Sequence, residues 1–211
     1  MKMGTRLILG AGLACFALAG CMAEAPETPA KAKLVTEAGD PTLALTTVPD
    51  WARANIRYMS AGTGQWIADN ATYRSEGEPW DSYVIEWTAG PDDLSMTARM
   101  YALKDGQPSQ GDFWSFYQFW DYPAGQMRII QNGWGVHGEG TIWMDEDGAT
   151  LIAEQRFTPV SGPAYSVRHE TAELSETEHR SASLNPSDAG TWVTDRAYVW
   201  VRTSSDAVAA P

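Results

Sequence analysis

Three histidines, a glutamate close to one of them and five arginines set among apolar residues are the side chains of this sequence best suited to chemistry. His137 and Glu139 share the glycine-rich stretch NGWGVHGEG (132–140), where an acid/base pair needs the carboxylate within reach of the imidazole. Nothing else in the stretch supports catalysis. No helical pattern follows it, so it is a hairpin or loop and not a dinucleotide fingerprint. His169 lies in YSVRHETAEL (165–174), on the strand face of Tyr165, Val167 and Thr171, and has the one inward-facing case. With no second histidine at metal spacing it reads as a hydrogen-bonded core residue, and no metal is assigned. His179 follows Glu176 and Glu178 beside a turn. Arg99, Arg128, Arg156, Arg168 and Arg196 fall mid-strand, as do Glu86, Glu154, Glu170 and Asp195. Cross-strand ion pairing on an outer face accounts for them; the other reading puts an arginine or two inward to bind a ligand carboxylate. G-x-S-x-G, H-E-x-x-H and Walker patterns are missing from the sequence, so no catalytic residue and no cofactor is assigned.

Cysteine usage depends on the N-terminus. Lys2 and Arg6 precede an apolar run from Leu7 to Leu18 and then small residues before Cys21, the layout of a secretory signal over 1–20, too short to span a bilayer. Leu18-Ala19-Gly20-Cys21 resembles the bacterial lipobox, which implies cleavage before Cys21 and a diacylglycerol on its sulfur. In such proteins an Asp after the cysteine retains the chain at the inner membrane. Met22 stands there, so the expected location is the outer membrane, facing the periplasm. Cys15 would leave with the signal, leaving no thiol for a disulfide, a metal or a nucleophile. The signal carries two of the 15 basic residues and none of the 27 acidic ones, so its removal deepens a net charge of −12. That charge repels nucleic acid and anionic head groups, and membrane contact is expected through the acyl chains on Cys21.

The remaining segments position whatever the chain binds. Residues 21–48, rich in Ala, Pro, Thr and Glu, read as a flexible tether, and 204–211 as a disordered tail. Between them, 49–203 suffices for one domain with a sizeable core. Pro49 and Asp50 suit a helix start, and Trp51, Ile56 and Met59 fall on one helical face, so a short amphipathic helix opens the domain. From there a period of two continues through 83–87, 95–103, 113–120, 127–132, 140–144, 151–157, 165–174 and 191–202, interrupted by Gly, Pro, Asp and Asn turns. Roughly eight to ten antiparallel strands in an all-β, up-and-down meander are expected, and closing such a sheet into a barrel removes both edges.

Gly64-Gln65-Trp66 at the start of the first strand and Tyr198-Val199-Trp200-Val201-Arg202 in the last resemble the closing signature of calycin and lipocalin barrels. The resemblance implies that Trp66 sits at the barrel floor with Arg202 packed over it. From Tyr117 onward the chain is similar to bacterial calycin-like families, which share an aromatic strand, a glycine-rich hairpin, an Asp-Glu-Asp-Gly turn (145–148) and an Arg-containing strand (Arg168).

Ten tryptophans suggest a lumen with room for a ligand as well as a packed core. The segment GDFWSFYQFWDYPAG (111–125) is aromatic in both strand phases. Phe113, Tyr117 and Phe119 are assigned to the lumen with Tyr83, Trp87, Met100 and His169; Trp114, Phe116 and Trp120 would then pack under the helix or a partner. The leading expectation is a lipoprotein binding a small, largely apolar molecule. The rivals are a filled barrel with an exposed aromatic patch, serving as a protein-interaction module or homo-oligomer, and an enzyme on a hydrophobic substrate.

Overall fold

The computed structural model describes residues 47–109 and 111–204. The expected signal, Cys21 and nearly all of the tether therefore lie outside the described residues, as does the tail beyond 204. Helix α1 (Asp50–Ser60) leads into β1 (Gln65–Asp69), β2 (Ser82–Ala89), β3 (Ser95–Lys104), a two-residue strand β4 (Gln107–Pro108) and β5 (Trp114–Asp121). There follow β6 (Gln126–Gly133), β7 (Val136–Met144), β8 (Thr150–Pro159), β9 (Tyr165–Ser175), β10 (Glu178–Pro186) and β11 (Trp192–Arg202). Every pairing is antiparallel. Apart from β4, which pairs only with β3, each strand joins its neighbours in sequence, and β1 pairs with β11. The result is a closed ten-strand up-and-down barrel with one short helix, the expected architecture.

Closure happens at the narrowest seam. Only three residue pairs join β1 to β11, and the first is Trp66 opposite Arg202. Side chains reinforce it. The Arg202 guanidinium lies 4.4 Å from the Trp66 ring centroid and donates to the Tyr58 carbonyl at 2.6 Å. Trp66 is fully buried and donates Nε1–H to the Met59 carbonyl at 2.8 Å. The helix is thereby fixed across this end of the barrel, with Ala52, Ile56 and Met59 packed in one cluster with Trp66, Leu94, Met96, Trp120 and Met127. Gly64 belongs to the same joint. Its φ is +66°, and a Cβ there would meet the Trp87 carbonyl oxygen at 1.9 Å, so the first letter of G-x-W is a steric requirement.

At the other end β1 stops early. Its last pair with β11 is Ala68–Trp200, and β11 continues beside the connection 70–81 instead of a strand. That connection supplies the missing partners. The Ala197 N–H donates to the Tyr73 hydroxyl at 2.8 Å, the Tyr198 hydroxyl donates to Asn70 Oδ1 at 3.2 Å, and Arg196 pairs with Glu78.

Of the two readings open for NGWGVHGEG the structure takes the hairpin: the end of β6, the Trp134-Gly135 turn (φ 52° and 70°) and the start of β7. Two successive positive φ values make the tight hairpin turn whose twist suits the flanking strands. The segment 178–186 is a full strand, β10, which places His179 in the buried floor.

Trp66→Ala removes the ring, its hydrogen bond and its cation–π partner, and should cost about 3–5 kcal/mol in urea unfolding. Arg202→Met, which keeps the apolar stem, should cost about 1–2 kcal/mol. A Trp66→Ala loss under about 1 kcal/mol would show that the seam does not depend on this residue.

Candidate functional site

Inside the barrel lies a cavity of about 350 Å³, at the small end of the about 300–1,000 Å³ typical of ligand pockets. Met59 of α1 contributes to its lining, and Phe113 and Trp114 reach a second, open depression of about 490 Å³ bordered by Asp112, Asn132 and Trp134. Trp134, 65% exposed, meets Phe113 edge to face at 5.9 Å. The barrel is therefore not filled.

The walls differ in chemistry because the strands differ in composition. Tyr83, Ile85 and Trp87 of β2, Met100 of β3, and Trp114 and Phe116 of β5 form an aromatic and aliphatic wall. Across from it, Gln155 of β8, His169 and Thr171 of β9, Ser181 and Ser183 of β10 and Arg196 of β11 present polar groups. Several of these lack partners. Both Gln155 amide atoms, His169 Nε2 and Trp87 Nε1 are buried with no hydrogen bond from the protein. Gln155 is 1% exposed. Buried polar groups are nearly always satisfied, and an unsatisfied one costs about 1–3 kcal/mol, so such a group facing a cavity calls for a partner within it, an ordered water or a guest.

The sequence-assigned residues divide. Tyr83, Trp87, Met100, Phe113 and His169 line the cavity. Tyr117 and Phe119 do not. They stand on the outer face, stacked on each other at 4.9 Å, with Tyr117 42% exposed, while Trp114, Phe116 and Trp120 point inward. The phase expected for β5 is thus reversed, and the aromatic patch proposed for a protein partner faces the core. Register held the missing signal. Ala98, in the same strand phase as the lumen-assigned Met100, is the direct partner of Phe116, and directly opposed residues share a face.

Two cross-strand pairs follow the ion-pair reading. Glu86 and Arg99 are cross-strand partners bonded at 2.6 Å, and Glu154 and Arg168 at 2.9 Å. Arg196 is the exception and lines the cavity. Its guanidinium binds Glu78 through both nitrogens, at 2.5 and 2.7 Å, and the Tyr83 hydroxyl donates to the same carboxylate. The Arg196 bond holds the Glu78 carboxyl below its usual range, and Glu78 in turn raises Arg196. His137 and Glu139 are both exposed on the outside, with His137 Nδ1 2.8 Å from Asn132 Oδ1. They form no cavity pair.

Burial pushes His169 down from 6.5 to about 4; it does the same to His179, with the Arg202 charge adding to the effect. Both imidazoles are neutral at neutral pH. His179 packs against Trp66 at 4.5 Å and Trp200 at 6.1 Å and belongs to the floor. No group of three or more His, Cys, Asp or Glu side chains that could hold a metal occurs among the described residues. The chain matches no protein-family model and is similar to no curated protein.

Each of these two histidines gains a proton near pH 6.5 in the unfolded chain but only near pH 4 in the barrel. The stability they confer is therefore present above pH 6.5 and lost as the pH falls toward 4, on the order of 1–3 kcal/mol each. Urea unfolding between pH 7 and 4.5 should show a smaller loss for His169→Asn than for the wild type. Parallel curves would mean that His169 is not buried neutral.

Proposed function

We propose that this chain is an outer-membrane-anchored, periplasm-facing lipoprotein of the calycin-like kind that binds a small, largely apolar molecule inside its barrel. The observation that carries the binding half is the cavity with unpartnered Gln155 and His169 atoms opposite an aromatic wall that carries the unpartnered Trp87 Nε1. A structural core has no use for open volume lined by orphaned hydrogen-bonding groups. Apolar rings supply most of the contact area, and a few polar atoms fix orientation. The anchoring half rests on residues 1–21, where charged, apolar and small residues precede Cys21 in the order a lipobox requires. The two fit together, since a ligand with a large apolar part partitions into the membrane beside which such a barrel would be held.

Native mass spectrometry of protein purified from membranes in mild detergent should show a co-purifying small molecule released on denaturation. Gln155→Leu, nearly equal in volume, should weaken binding of that molecule about tenfold while leaving the fold intact by circular dichroism. A barrel that is empty in the native spectrum and binds no apolar probe would end this reading. Independently, Cys21→Ala should abolish incorporation of labelled palmitate and release the protein from the membrane fraction; unchanged labelling would exclude Cys21 as the anchor.

A further inference from the structure

We infer that the cavity selects an uncharged amphiphile, its hydrogen-bonding end an amide or alcohol seated against Gln155 and His169, and rejects the carboxylate built on the same skeleton. This rests on the ligand-binding reading above and narrows it. Among the cavity-lining residues Arg196 is the one formally charged side chain, and its position on the polar wall would suit a carboxylate. That role is already taken. Glu78, from the connection between β1 and β2, holds both terminal nitrogens of the guanidinium, and Tyr198 accepts a further bond from one of them at 3.3 Å. An internal carboxylate thus occupies the place of an anionic ligand. An incoming anion would have to displace Glu78 or share the cation with it, while Glu78 also keeps Tyr83 and the β1–β2 connection in place.

The groups left over ask for something else. Gln155 offers an amide NH2 with two donors and a carbonyl acceptor, both groups unpartnered, and Trp87 Nε1 offers a donor. An amide or alcohol donates and accepts, so it can answer both Gln155 atoms; a carboxylate only accepts, and would set a negative charge against the Gln155 carbonyl oxygen. His169, on the strand next to Gln155, presents Nε2, which donates or accepts according to tautomer and so meets either end of a neutral group. The acidic surface adds a long-range bias, since a net charge of −12 opposes entry of an anion.

The test is a matched pair of probes, octanamide with octanoate and 2-naphthamide with 2-naphthoate, titrated at pH 7.5 by tryptophan quenching and calorimetry. The wild type should prefer each amide by about tenfold or more. Glu78→Gln, which leaves the Arg196 charge without its carboxylate, should shrink that preference by strengthening carboxylate binding. Gln155→Leu should shrink it from the other side, by weakening amide binding alone. Octanoate binding the wild type as tightly as octanamide would overturn the inference and leave the ligand cavity standing. No binding by any of the four probes would remove both. Should Glu78→Gln fail to fold, the wild-type comparison and Gln155→Leu decide the question.

Discussion

Everything inside this barrel depends on a seam of three residue pairs. Ten strands can enclose a space only if the first and last remain joined, and here β1 gives β11 three partners where the other adjacent pairs of those ten strands have five or more. Side-chain chemistry compensates for the short ladder. Arg202 bridges the Trp66 ring and the carbonyl at the end of α1, so the cation that closes the sheet also seats the helix. Losing that contact would loosen the seam and the floor together. Met59, part of that cluster, and His179, packed on the Trp66 ring at 4.5 Å, line the base of the cavity.

The upper half of the seam is solved differently. Where β1 ends, the β1–β2 connection lays Asn70, Tyr73 and Glu78 along β11 and satisfies it with side chains in place of a strand. This explains why a charged pair lies beside an apolar cavity. Arg196 and Glu78 are partly buried, with 36% and 17% of their side chains exposed, so removing either one leaves the other's charge only partly solvated. The pair is a structural clasp first, and its effect on what the lumen accepts follows from where the clasp has to be.

Legibility in the sequence followed side-chain contrast. Strands with apolar alternation, such as SMTARMYAL and MRIIQN, could be read directly, and so could the helix, where the expected Ile56 and Met59 are buried while Trp51 is half-buried beside Ala52. The strand EHRSASLNP could not. Its inward residues are His179, Ser181 and Ser183, so a polar wall erased the alternation that would have revealed it. Segment 113–120 failed for the opposite reason, both phases being aromatic. Only its register against Ala98 and Met96 distinguishes them. The Glu78–Arg196 pair joins positions 118 residues apart, and nothing local in either segment announces it.

These failures cluster at the site for a physical reason. A core that only stabilises is filled with apolar side chains, and local pattern then agrees with the fold at every level; departures from that agreement concentrate where a protein binds something. Here the departures are a serine- and histidine-bearing strand facing inward, a glutamine on β8 with neither amide atom bonded, and an arginine held by a loop instead of a strand neighbour. Each makes the barrel harder to recognise and less stable than one lined with leucine. A polar wall facing open volume is compensated only when ordered water or a guest supplies the missing bonds, and Gln155 is placed to take them from either.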